Sequence, residues 1–262
     1  MIRLAANIST LFQEFDFLDR IEAAARAGFG AVECQFPYAV EPTAIAQRLR
    51  EHQMRWVLFN GPPGNAGAGE RGIASLPGRE PDFVAGIQRA LEYIEATDCR
   101  QLHVMAGLLP AGADRARHLD QFVASIARAA DLLQPAGATV LVEPINTRVD
   151  VPGYLLDGTA LAVECIERSG RGNVRLQYDV YHMQIMEGDL LRSIERLLPR
   201  IGHIQIADNP GRHEPGSGEI AFDNLLARID ALGYSGFVGC EYLPAGNTLA
   251  GLGWARRYLQ QR

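Results

Sequence analysis

Residues 174–182, VRLQYDVYH, begin as an apolar run with strand-like alternation and end on an aspartate and a histidine. Residues two apart in a strand share a face, so Leu176, Tyr178 and Val180 point one way and Gln177 and Asp179 the other. An apolar outer face beside a polar inner face that ends in a carboxylate suits a parallel barrel, whose chemistry sits at the carboxyl ends of its strands. That reading requires partner strands of the same kind elsewhere in the chain.

Seven further runs rich in apolar and β-branched residues supply them: 4–9, 31–36, 55–60, 101–107, 139–146, 203–208 and 237–243. Between most of them lie helical patterns with apolar residues three and four apart, such as DFLDRIEAAARAG, stopped by Gly28, and the segment from Asp114 to Leu133 before Pro135. Eight strands alternating with helices over 262 residues, without a Ser/Pro linker, predict one α/β domain spanning 1–262, a closed (β/α)8 TIM barrel; an open doubly wound sheet is the alternative.

The same parity applied to the last four strands turns Leu141 and Glu143, Gln177 and Asp179, His203 and Gln205, and Gly239 and Glu241 inward. Glu143, Asp179, Gln205 and Glu241 then cluster at the catalytic rim. Three inward carboxylates repel unless a cation, proton or substrate meets them, and a ligand set of oxygens alone suits Mg²⁺ or Mn²⁺. The bland alternative is four strand-end polar groups satisfied by arginine, tyrosine and backbone.

His182 is a candidate to bond a substrate hydroxyl or, alternatively, to cap the next helix; His203 reads as a core histidine as readily as a catalytic one. His52 and His118 lie in helical patterns and are expected to be solvated. Arg212, in NPGRHEPGSGE, is placed to reach over the mouth and pair with a substrate carboxylate, against a surface ion pair with Glu214 or Glu219. The glycine-rich segment 61–80 is expected to be a lid over the site, with Glu70 and Arg71 as further substrate contacts, against the plain alternative of a flexible loop with no chemistry. Its Gly67–Gly72 stretch satisfies G-x-G-x-x-G, but Pro77 follows it and no helix opens within it, so no nucleotide cofactor is expected.

All 25 basic side chains are arginines, which excludes Schiff-base, pyridoxal-phosphate and lysine phosphate-loop chemistry. The net charge of −6 comes without a basic run, so nucleic acid and membrane surfaces are not expected partners; small molecules or copies of the chain are. MIRLAANIST lacks a charged leader followed by a long apolar stretch, no segment approaches the roughly 20 apolar residues of a membrane span, and Cys34, Cys99, Cys165 and Cys240 form no C-x-x-C pair. The expectation is a cytoplasmic protein with buried free thiols.

AANIS, NGPPG, AGERGIASLPGRE, VEPIN, QYDVYHMQIMEGDL, GHIQIADNPGRHEPGSGEI and GCEY together resemble the hydroxypyruvate isomerases, within the xylose isomerase-like barrels, over essentially the whole chain. The resemblance implies interconversion of hydroxypyruvate, a 2-oxo acid, and 2-hydroxy-3-oxopropanoate. It implies Glu143 and Glu241 as the acid/base pair and, by likeness to the related epimerases, Glu143, Asp179, Gln205 and Glu241 as holders of a divalent metal. Gln205 stands where the sugar epimerases usually carry histidine. A 2-oxo-tetronate isomerase and a ketose 3-epimerase are the nearest alternatives; a non-catalytic sugar-acid sensor and a metal-dependent abasic-site endonuclease are further ones.

Overall fold

The computed structural model describes residues 1–259. Eight parallel strands pair in sequence order and close on themselves: β1 Arg3–Asn7, β2 Ala31–Cys34, β3 Arg55–Asn60, β4 Gln101–His103, β5 Thr139–Val142, β6 Val174–Asp179, β7 Ile201–Ile206 and β8 Phe237–Cys240. Each lies within or close to a run expected to be a strand. Pro144 lacks the N–H that a ladder needs and stops β5 at Val142, so Glu143 stands one residue beyond its strand; Glu241 likewise stands one residue beyond β8, at the carboxyl rim.

The outer layer holds α1 Asp19–Arg26, α2 Pro42–Glu51, α3 Glu80–Thr97, α4 Arg115–Leu133, α5 Thr159–Ser169, α6 Val180–Met186, α7 Leu190–Leu197 and α8 Phe222–Ala231. Both α6 and α7 fill the β6–β7 crossover, and a 3₁₀ segment, Ala250–Ala255, follows β8. Asp114 caps α4 by accepting from the Ala116 N–H. On α4, His118 joins Phe122, Ser125, Ile126 and Ala129 on the buried face, so it is not solvated as expected. The four cysteines are free and buried, as expected. Among the described residues no helix is long and apolar enough to cross a membrane.

Register brings the polar residues into shared layers. Asp179 lies opposite Gln205, and Gln205 opposite Gly239. The pairing shifts between Leu176 and Gln177 on β6 and between Val32 and Glu33 on β2. Such irregularities re-aim side chains near working sites.

Segment 61–80 has a free tip and a fixed root. The tip turns through the 3₁₀ stretch Ala66–Ala68 and is exposed, whereas Gly72, Ile73, Ala74 and Ser75 are buried. The Ser75 N–H donates to the Ala106 carbonyl at 3.0 Å. A Cβ on Gly72 would collide with the Met105 carbonyl, and one on Gly107 with the Gly72 carbonyl, so two glycines let the backbones touch. The next helix begins only at Glu80, so the glycine triplet opens no phosphate-binding helix.

Candidate active site

Asp179 ends β6 and starts α6 in one step. Its Oδ1 accepts from the Tyr181 and His182 N–H groups at 2.8 and 3.2 Å, so the helix is capped by the aspartate and His182 sits in the first turn, buried. Its other oxygen, Oδ2, has no hydrogen-bond partner among the described residues. His182 Nδ1 lies 2.7 Å from Asn146 Nδ2, while Asn146 Oδ1 accepts from the Val149 and Asp150 N–H groups. The amide therefore presents a donor to Nδ1, which leaves the imidazole proton on Nε2, 3.8 Å from Asp179 Oδ2.

Glu143 is buried and lightly held. His103 Nδ1 stands 3.3 Å from its Oε2 and 3.2 Å from Asn60 Oδ1, and among the described residues Glu143 Oε1 has no hydrogen-bond partner. Glu241 is gripped on both oxygens: Oε1 accepts from Gln35 Nε2 at 2.9 Å and Asn7 Nδ2 at 3.1 Å, and Oε2 from Arg212 Nη2 at 2.9 Å. Arg212 also donates through Nη1 to Asp150 Oδ2 at 2.8 Å, lies 3.9 Å from Asp179 Oδ2, and stacks over the Tyr181 ring at 5.1 Å. It spans the mouth and makes no pair with Glu214 or Glu219, because the loop that carries it is shaped from within. The buried Asp208 carboxylate accepts from the backbone N–H groups of Asn209, Gly216, Gly218 and Ile220.

Burial first, then the charges of Asp179 and Glu241, push the Glu143 carboxyl well above the usual carboxylate range. Burial raises Glu241 as well, but the Arg212 guanidinium opposes it and holds the value to about 7. Asp179 is raised by burial against the same guanidinium. Burial, and then the neighbouring His182, lower His103 to about 3; burial and Arg212 lower His182. Both imidazoles are neutral near pH 7.

The ligand atoms of Glu143, Asp179 and His182 lie within 4.8 Å of one another. Glu143 Oε1 and Asp179 Oδ2, both buried, have no hydrogen-bond partner among the described residues, and carboxylate oxygens of this kind suit a hard divalent cation. Gln205 lies in the same barrel layer, but its Nε2 donates to Glu33 Oε1 at 2.8 Å and its Oε1 accepts from Gln177 Nε2 at 2.5 Å.

Glu143, Asp179, Glu241, His182 and Arg212 are thus brought together as the sequence reading places them. Glu70 accepts from the Asn65 N–H and pairs with Arg79 Nη1 at 2.6 Å, bracing the tip of segment 61–80, and Arg71 is exposed there. His203 is buried and bonds Glu33 Oε2 at 2.7 Å. Sequence reasoning passed over Glu33, Asn7, His103 and Asp150. Glu33 has the same inward parity on β2 as the four rim residues have on theirs; Asp150 lies in an irregular loop where no periodicity marks it.

Residues 21–258 match a protein family described as xylose isomerase-like TIM barrel. The chain is 49% identical to a 2-oxo-tetronate isomerase of Cupriavidus necator, with 99% of each covered, and 43% identical to a hydroxypyruvate isomerase of Escherichia coli, with 98% of this chain and 100% of that one covered. A crystal structure of a protein named AP endonuclease, family 2, from Brucella melitensis superposes with a TM-score of 0.97 at 47% identity, covering 99% of this chain and 100% of that one.

Proposed function

The chain belongs to the xylose isomerase-like TIM barrel family, and from that premise we propose that it is an isomerase interconverting hydroxypyruvate and 2-hydroxy-3-oxopropanoate. The observation that carries the reading is the pair of buried carboxyl groups, Glu143 and Glu241, from strands on different sides of one barrel mouth, with a guanidinium at the same mouth bonded to Glu241.

Moving a carbonyl to the neighbouring carbon is redox-neutral overall. A base removes the proton from the hydroxyl-bearing carbon, the released electron pair makes an enediolate, the O–H proton of that carbon passes to the oxygen of its neighbour, and an acid returns a proton to the adjacent carbon as the first becomes the aldehyde. One of Glu143 and Glu241 takes the proton and the other gives one, with the roles exchanged in reverse. Arg212, already charged against three carboxylates, orients the substrate carboxylate. His182 offers Nε2–H to a substrate oxygen. Segment 61–80 shields the mouth from water, with Glu70 and Arg71 at its tip as further substrate contacts.

A divalent cation, Mg²⁺ or Mn²⁺, would be held by Glu143 and Asp179, whose unpartnered oxygens support it, with Glu241 and Gln205 as further holders once they release Arg212 and Gln177. When bound it supplies Lewis-acid stabilisation to charge developing on the substrate oxygens.

The chain acts in the cytoplasm without a nucleotide cofactor; four unpaired buried cysteines suit a reducing compartment. The name of the Brucella protein raises a nucleic-acid reading, but a net charge of −6 is ill matched to a polyanion. A second reading keeps the chemistry and lengthens the substrate, because the Cupriavidus relative is named for a four-carbon 2-oxo acid. The test is turnover of hydroxypyruvate, with the aldehyde product trapped by an NADH-dependent reductase, beside 2-oxo-tetronate and an EDTA-treated sample. Faster turnover of hydroxypyruvate is expected, with activity restored to the EDTA sample by Mn²⁺. Activity on the four-carbon acid alone moves the substrate, and silence on both overturns the isomerase reading.

A further inference from the structure

Glu33 lies in the lumen beneath the rim, is fully buried, and has no part in the chemistry described above. A carboxylate in such a place costs several kcal/mol unless donors meet it. Here three do, from two strands: Asn7 Nδ2 on β1 and Gln205 Nε2 on β7 reach Oε1 at 3.0 and 2.8 Å, and His203 Nε2 on β7 reaches Oε2 at 2.7 Å. On β8 the facing position is Gly239, where any Cβ would collide with both Glu33 oxygens. The barrel thus leaves one lumen position without a side chain, and the carboxylate fills the space.

Asn7 connects this carboxylate to the rim. Its Nδ2 carries two hydrogens and donates both, one to Glu33 Oε1 and one, at 3.1 Å, to Glu241 Oε1. Its Oδ1 accepts from the Ser9 N–H at 3.0 Å, so the amide has one satisfied orientation. Gln205, anchored on Glu33 by its nitrogen, is fixed in the same way.

We propose that Glu33 is a positioning residue for the isomerisation: by fixing the Asn7 amide it sets the direction of the Glu241 carboxylate, and by fixing Gln205 it sets the oxygen that Gln205 turns to Gln177. The inference rests on the isomerase reading of Glu241. Outer partners of working groups typically matter by about 10–100-fold, and a relay predicts that two variants in series do not add.

The test compares Glu33→Gln, Asn7→Ala and the double variant in the full chain, by steady-state kinetics on hydroxypyruvate and on 2-oxo-tetronate, thermal unfolding and crystal structures. Each single variant is expected to lower kcat about 10–100-fold with KM held within about threefold, and the double variant to fall no further than the worse single one. Additive losses, or a lowered unfolding temperature with kcat unchanged, overturn the proposal. Should Glu33→Gln not fold, Asn7→Ala decides alone, since it leaves Glu33 with His203 and Gln205; an unchanged kcat there overturns it. If the unaltered protein turns over neither acid, the isomerase reading has failed, and the crystal structures then decide: a Glu241 carboxylate that keeps its orientation in Asn7→Ala defeats the proposal.

Discussion

The two glutamates at the barrel mouth are held in opposite ways. Glu241 is gripped on both oxygens by Asn7, Gln35 and the Arg212 guanidinium, whereas Glu143 has a neutral His103 beside one oxygen and, among the described residues, nothing bonded to the other. Both are buried, so both bind protons more tightly than a free carboxylate. The guanidinium holds Glu241 to about 7, while the charges of Asp179 and Glu241 add to burial at Glu143. Donor placement and neighbouring charge together make two like side chains into unlike acids, which is what a reaction that removes one proton and returns another requires.

The largest expected effect breaks the pair outright. Glu143→Gln and Glu241→Gln each lower kcat by about 10²–10⁴-fold with the fold intact by circular dichroism. They should differ in KM: Glu241→Gln frees Arg212 from one of its carboxylates and shifts KM, while Glu143→Gln leaves the substrate-binding groups in place. Equal KM values in the two variants would show that Arg212 does not distinguish the two sides.

Next in size is Arg212→Lys. It keeps the charge but loses the fork that spans Asp150 and Glu241, so kcat/KM on the 2-oxo acid should fall by about 10²-fold. A steady-state value within about threefold of the unaltered enzyme would remove the guanidinium from substrate binding.

A smaller effect concerns the metal-free protein. Burial moves the Glu241 carboxyl from its ordinary 4.5 up to about 7 in the fold, and the Glu143 carboxyl shifts in the same direction. Between those values the folded state keeps protons that the unfolded chain has released, so this stabilisation is full below pH about 4.5 and is lost as pH rises through 7. Unfolding temperatures of EDTA-treated protein should fall from about pH 5 to about pH 7.5, and Mn²⁺ should flatten the slope. A rise over that range would contradict the assigned environments. The smallest expected effect is at His103→Asn: about tenfold in kcat, since one neutral contact to Glu143 is weakened.

Strand order and closure were legible because each strand is a short apolar run between helical patterns, and parity alone placed Glu143, Asp179, Gln205 and Glu241 at one rim. The partners were harder. Arg212 pairs with Asp150, 62 residues away, rather than with nearby Glu214 or Glu219, and only the Asp208-centred loop turns it inward. Glu33 meets His203 across 170 residues, so a lone carboxylate in AVEC gives no sign of its donors, although its inward parity was there to read. His118 shows the opposite lesson: its spacing to Phe122, Ile126 and Ala129 is that of a buried helical face, and residue type misled where periodicity did not.

In the two-glutamate mechanism a proton leaves one carbon on one carboxylate and arrives at the next from the other. This is tested most directly by running the isomerisation of hydroxypyruvate in D₂O, trapping the aldehyde product as it forms and reading its newly made carbon–hydrogen bond by NMR. Two solvent-equilibrated carboxylates predict deuterium at the carbon that receives the proton in essentially every product molecule. Product formed with the substrate's own hydrogen carried across would contradict the two-glutamate account.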